Sequence, residues 1–281
     1  MTGPAVGVVG ATGQQGGAVV RHLLAAGTAV RALVLDPASA RARQLAALGV
    51  TLVPADLGDE AAVTAAFTGL DAVFAMTTFV TEGPAGEVRH GRAIADAAEA
   101  AGVARVVYSS VGGAERATGI PHFESKWQVE EYLRSKDLSV TVIRPVFFMD
   151  NFTNRSPITD DQREQVFRYP LKPGVPLQMI AVEDIGAVCA TALLDPAAIA
   201  DGHLEIAGDE LTPEQIARVF QEWSGVATRF EAEDVSGIAD DDQRAMYAWF
   251  TQPPSYIADF DATRRLRPSV LTLPGFLARR R

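Results

Sequence analysis

Ala5-Val6-Gly7-Val8-Val9-Gly10-Ala11-Thr12-Gly13-Gln14-Gln15-Gly16 is the stretch that decides the architecture. Its first half is a short valine-rich run ending in glycine, which predicts a buried strand over Ala5–Gly10. Its second half places glycine at every third position. Val19, Val20, Leu23 and Leu24 then recur at helical spacing until Gly27, so Gln14–Ala26 reads as a helix stopped by glycine. A strand that turns on glycines into a helix has a defined chemistry. The glycines let backbone approach a phosphate closely, and the helix N-terminus offers unpaired N–H groups and a partial positive charge. Gly10, Thr12, Gly13, Gln14, Gln15 and Gly16 are therefore candidate contacts to a pyrophosphate.

Outward from this motif, the first 145 residues keep alternating. Ala29–Leu35, Val50–Val53, Ala72–Met76, Ala104–Ser109 and Ser139–Ile143 read as strands. Ser39–Leu48, Glu60–Phe67 (with Asp59 as N-cap), Glu87–Ala101 and Glu124–Ser135 read as helices between them. Six apolar strands alternating with helices predict an α/β protein with a doubly wound, Rossmann-type parallel sheet covered on both faces. After Arg144-Pro145 the rhythm breaks. Prolines at 157, 170, 173 and 176 mark a loop-rich tract over 149–181. A helix over Val182–Leu194, a strand over His203–Ile206, a helix over Thr212–Trp223 and a strand near Arg229–Ala232 follow, then an aromatic helix with Met246, Tyr247, Trp249 and Phe250. The expected division is a dinucleotide-binding domain over 1–148 and a smaller, discontinuous α/β substrate or partner lobe over 149–281.

Composition bounds the function. The chain has 281 residues, 48% hydrophobic and 21% charged, which suits a globular protein with a sizeable core. Twenty-five basic against 35 acidic residues give a net charge of −10, which argues against direct binding of duplex nucleic acid. Six arginines and no acid lie within 264–281; they read first as a solvated surface and second as a contact to phosphate or an acidic partner. The single cysteine, Cys189, excludes an intrachain disulfide and reads as a small core residue. No metal-ligand cluster stands out. The first charged residue is Arg21, and the glycine-rich start resembles neither a signal peptide nor a membrane span, so a cytoplasmic protein is expected.

The spacing Gly-x-x-Gly-x-x-Gly resembles the short-chain dehydrogenase/reductase superfamily in its extended or atypical branches. Asp56 and Leu57 follow the third strand, where that superfamily places an acid beside the adenine. Tyr108-Ser109-Ser110, Arg144-Pro145 and Ala181-Val182-Glu183-Asp184-Ile185-Gly186 extend the likeness. Pro121-His122-Phe123-Glu124-Ser125-Lys126, with Val129-Glu130-Glu131-Tyr132, and Arg144-Pro145-Val146-Phe147-Phe148-Met149-Asp150-Asn151-Phe152 resemble the NmrA-like family. The resemblance covers about residues 5–225. That family includes cofactor-binding redox sensors, transcriptional co-regulators without enzyme activity, and reductases.

The resemblance implies a nicotinamide dinucleotide. NmrA-like proteins usually carry Arg, which receives the 2′-phosphate of NADP, where Leu35 stands. Asp36 ends the second strand 20 residues after Gly16. A carboxylate there accepts ribose hydroxyls and repels a 2′-phosphate, which favours NAD(H) over NADP(H). Asp36 also reads as a turn residue before Pro37, and Arg41 and Arg43 remain as alternative phosphate contacts. The carboxyl ends of parallel strands form the ligand cleft, which groups Met76, Thr77, Thr78, Ser109, Pro145, Val146 and Phe147 with the glycine loop.

Related reductases use Tyr-x-x-x-Lys, with the tyrosine as proton donor and the lysine on the nicotinamide ribose. Here His122 stands at the tyrosine position and Lys126 four residues later. An imidazole with a reference pKa of about 6.5 can give or take a proton near neutrality. Its bland reading is a loop histidine lining the cleft. His122, Lys126 and Ser109 are the candidate catalytic residues. Two functions follow: a redox-cofactor sensor or weakly active atypical reductase that binds a protein partner, or a specialised NAD(P)H-dependent oxidoreductase for a small apolar carbonyl or quinone.

Overall fold

In the computed structural model, described over residues 4–153, 158–159 and 164–280, the elements run in chain order. They are β1 (Ala5–Val8), α1 (Gln14–Ala25), β2 (Ala29–Val34), α2 (Ala40–Ala47), β3 (Thr51–Pro54), α3 (Glu60–Phe67), β4 (Ala72–Ala75), α4 (Gly83–Ala100), β5 (Arg105–Ser109), α5 (Pro121–Arg134) and β6 (Ser139–Pro145). Then come β7 (Phe147–Phe148), β8 (Ile158–Thr159), β9 (Gln165–Tyr169), β10 (Leu177–Ile180), α6 (Val182–Leu194), β11 (His203–Ile206), β12 (Asp209–Leu211), α7 (Pro213–Ser224), β13 (Thr228–Ala232), α8 (Asp241–Phe250), α9 (Phe260–Leu266) and α10 (Leu273–Ala278).

Seven strands form one parallel sheet in the order β11-β6-β5-β4-β1-β2-β3. Successive side chains on a strand face opposite sides, and the two cores obey this rule. Val6, Val8, Ala32, Val34, Phe74, Val107 and Ile143 pack on one face with α1 and α6; Leu33, Val73, Ala75, Val106, Tyr108 and Val142 pack on the other with α3, α4 and α5. Close helix pairs need small residues. A side chain at Gly186 would overlap Ala18 of α1, and one at Gly91 would overlap Val129 of α5. The chain winds to β2 and β3 on one side of β1 and to β4 on the other. The crevice between β1 and β4 is therefore the point where such folds bind ligands.

Two three-stranded sheets, β12-β10-β7 and β13-β9-β8, build the rest with α7 to α10. Rings of Phe147, Phe152, Phe167, Tyr169, Phe220, Tyr247 and Phe250 interlock there at centroid spacings of 5.2–6.1 Å. The sequence boundary at 148/149 is not a boundary of the large sheet. β11 lies far beyond it yet pairs with β6 along His203–Ile206. Among the described residues, no helix is long and apolar enough to cross a membrane, and no cluster of His, Cys, Asp and Glu could hold a metal ion. The C-terminal arginines are largely paired: Arg264 with Asp261, Arg267 with Asp184 at 2.9 Å, and Arg280 with Asp150 at 2.9 Å.

Candidate functional site

The loop after β1 is shaped by its glycines. Gly10 adopts φ +71°, open to glycine at little cost. Its carbonyl accepts the Gly13 N–H at 2.9 Å. A side chain at Gly16 would overlap that carbonyl, and one at Gly13 would stand 3.2 Å from it. Gly13 caps α1 without a side chain, and no acid occupies the first turn, so the positive end of the helix is left uncompensated. Thr12 is half-buried, while Gly13 and Gln14 are exposed. Gln15 turns inward, and its Oε1 accepts the Ser109 hydroxyl at 2.6 Å, tying the loop to the end of β5. The neighbouring Ser110 Oγ is buried with no hydrogen-bond partner among the described residues. A backbone cradle, a free helix N-terminus and an orphaned hydroxyl beside it fit a dinucleotide's pyrophosphate and polar groups.

Met76 lies beside Gly10 across the crevice, where a side chain on Gly10 would touch its thioether. At the far end of the cleft, Leu35 is 78% exposed and Asp36 follows it on the surface. The Asp36 carboxylate accepts the Ala38 N–H at 2.8 Å, so its turn role is realised. Asp56 likewise accepts the Gly58 N–H at 2.9 Å, and Leu57 packs partly against the core below. Thr78 is exposed and accepts the Val80 N–H at 3.3 Å. Pro145 and Val146 are buried at the end of β6. Phe147 is buried in the aromatic cluster of the second lobe.

Lys126 occupies a polar knot that sequence reasoning did not assemble. Its Nζ donates to the Thr77 carbonyl at 2.6 Å and lies 2.8 Å from Glu87 Oε1. Glu87 is fully buried and also accepts the hydroxyls of Thr77 (3.1 Å) and Ser125 (2.5 Å). The Tyr108 hydroxyl meets Thr77 Oγ1 at 3.0 Å, and burial beside the Glu87 carboxylate pushes this phenol well above its usual pKa. The predicted helix started at Glu87. The actual helix starts a turn earlier, at Gly83, and carries Glu87 inward.

His122 is not a loop residue. It lies in the first turn of α5, directly after Pro121, a residue suited to a helix start. Its ring stacks on Phe79 at 4.7 Å and meets Phe123 edge-on. Its Nδ1 stands 2.5 Å from Asp242 Oδ2, and its backbone N–H donates to Asp242 Oδ1 at 2.9 Å. Both side chains are nearly buried. Burial works to raise the Asp242 carboxyl, but contact with His122 prevails and holds it below the usual carboxylate range. Asp242 belongs to α8, 120 residues away; the only trace of it in the sequence is an acidic run before an aromatic helix.

The profile of the NmrA-like family matches residues 4–239. The chain belongs to the NmrA-like family. An NmrA-like family domain-containing oxidoreductase of Penicillium ochrochloron is 32% identical over 284 residues, covering 88% of this chain and 83% of the relative. An NAD(P)H azoreductase of Xenophilus azovorans is 34% identical over 191 residues, covering 67% of this chain and 63% of the relative. Among solved structures, the NADPH-dependent quinone oxidoreductase of Escherichia coli, complexed with NADPH, superposes with a TM-score of 0.83 at 23% identity, covering 98% of this chain and 99% of that one. NmrA, a negative transcriptional regulator in complex with NAD, gives 0.83 at 22% identity, covering 99% and 95%. Family membership thus agrees with the expected doubly wound fold; the relatives similar in sequence are named as oxidoreductases, and the structures of similar fold include a reductase and a regulator.

Proposed function

We propose that this chain binds a nicotinamide dinucleotide across the β1–β4 crevice and reduces a small, apolar carbonyl- or quinone-like acceptor. The observation that carries the reading is His122. It sits one helical turn before Lys126, ring-stacked on Phe79 and paired through Nδ1, in the place where related reductases keep a tyrosine acid. When bound, the reduced cofactor would supply hydride. The backbone of Gly10–Gly16 would hold its pyrophosphate, with the α1 N-terminus facing the negative charge. Asp56 and Leu57 would flank the adenine, with Leu35 exposed to cover it. Lys126 Nζ faces the Thr77 carbonyl, the Thr77 hydroxyl at 3.3 Å and Glu87, and a ribose hydroxyl would take the place of the long contact to the Thr77 hydroxyl. Met76, Thr77, Thr78, Pro145 and Val146 would shape the crevice, while Phe147, expected there, packs into the aromatic cluster of the second lobe. As the acceptor carbon takes hydride, His122 would pass a proton to its oxygen and recover one from water.

Asp36 supports NAD(H) over NADP(H). A carboxylate at the end of β2 disfavours a 2′-phosphate, and Leu35 brings no cation. A second reading, a cofactor sensor that acts through a protein partner, is favoured by one feature: the Lys126 ammonium is already neutralised by buried Glu87. One experiment separates the two. Calorimetry measures binding of NADH and NADPH while their oxidation is followed against quinones and aldehydes. Binding with turnover is expected. Binding without turnover on any acceptor would select the sensor, and absence of binding would overturn both.

A further inference from the structure

Among the described residues, the Asp242 carboxylate meets His122 through both of its oxygens. One carboxylate oxygen accepts the backbone N–H of His122; the other lies 2.5 Å from Nδ1 as a close ion-pair contact, off the line of a regular hydrogen bond. We propose that Asp242 is a positioning residue: it keeps a proton on Nδ1 of His122 in both charge states, so that Nε2 takes up a proton from water and the resulting imidazolium passes that Nε2 proton to the acceptor oxygen. The inference rests on the reductase reading above.

Three observations support it. First, α5 begins with no side-chain cap of its own, since Ile120 occupies the cap position. Asp242 therefore reaches across from α8 to a backbone N–H that the helix leaves unpaired. That bond anchors the carboxylate, so its second oxygen meets the ring in a fixed place. Second, the ring cannot swing. Phe79 lies against its face with an interplanar angle of 22°, and Phe123 closes one edge. Third, the charged neighbours are engaged elsewhere. Asp241 pairs with Arg244, Glu124 accepts the Gly119 N–H at 2.9 Å, and Lys126 serves Glu87. A neutral imidazole has one N–H and one bare nitrogen, and a carboxylate at Nδ1 assigns the N–H to that side. The proton-exchanging atom is thereby chosen by a residue of the second lobe. A cofactor-domain fragment alone would lack it.

Nitrogen-15 spectra of the full chain read the tautomer directly. The four histidines are assigned with the aid of His122→Ala. In the wild type, His122 is expected as the Nδ1–H form, and in Asp242→Ala as mainly Nε2–H. Asp242→Asn keeps an acceptor for the backbone N–H and controls for loss of the cap. A wild-type Nε2–H ring, or a ring unmoved by Asp242→Ala, would overturn the proposal even if no acceptor were turned over. On a reducible acceptor, Asp242→Ala should lower kcat about 10–100-fold, as loss of a carboxylate orienting a functional imidazole does. The cofactor Kd should stay unchanged. In the His122→Ala background the same change should cost kcat nothing more. An equal loss in both backgrounds would make Asp242 merely structural.

Discussion

The glycine loop after β1 and the side-chain cluster around His122 and Lys126 are built in opposite ways. The loop of Gly10–Gly16 works through backbone, and its defining contacts join residues within the motif itself. In the cluster, His122, Lys126, Thr77, Glu87 and Asp242 work through side chains brought together across 38, 49 and 120 residues. Phosphate recognition needs N–H groups and the absence of side chains, which a short string of glycines supplies. A proton donor needs an oriented ring and a charge partner, and several packed elements must supply them.

The largest effect should come from the glycine loop. Gly13→Val places a branched side chain where the pyrophosphate would lie, and dinucleotide binding should fall more than about 100-fold, roughly 2.7 kcal/mol. Calorimetry on the folded variant checks this; unchanged affinity would remove the loop from cofactor binding. In the cluster, His122→Ala should lower kcat by roughly 10²–10⁴-fold, the usual worth of general acid catalysis, while cofactor affinity holds. Full activity in that variant would pass the proton to Ser109, Ser110 or water.

The Lys126–Glu87 pair tests how far the side-chain cluster depends on burial. Glu87→Leu alone should cost about 3–5 kcal/mol in urea unfolding, because it strands a buried ammonium. Adding Lys126→Met should recover most of that loss; no recovery would mean that packing, not charge, holds Glu87. A smaller effect is expected at the exposed adenosine end. Leu35→Arg with Asp36→Asn should move relative affinity toward NADPH by about tenfold, or 1.4 kcal/mol. Wild-type preference for NADPH would point to Arg41 or Arg43 instead.

The smallest effect is in the pH dependence of stability. The Asp242 carboxyl is held below its ordinary range in the folded chain. Its stabilisation is therefore fully present above pH about 4, the unfolded value, and disappears as pH falls through the lower folded value. The Tm difference between wild type and Asp242→Asn should accordingly shrink on acidification; a difference constant with pH would assign it to packing alone.

The sequence by itself determined the doubly wound sheet and the glycine turn between β1 and α1, because both are written in local order. Strand and helix reveal themselves by hydrophobic period, and the β1–α1 turn by its glycines. Asp59 before α3 and the bounds of α6 and β11 were equally legible from caps and apolar runs. Only the tertiary structure decided what His122 and Lys126 touch. Glu87 read as the first residue of a helix, whereas α4 begins four residues earlier and carries it into the core. Asp242 looked like one acid in an acidic run until α8 packed beside α5. Likewise, β11 joined the large sheet because the exposed edge of β6 accepted a strand from beyond the expected boundary. The physical reason is common to all three. A side chain's charge partner and burial depend on which elements pack together, and no local pattern records a contact made across a hundred residues.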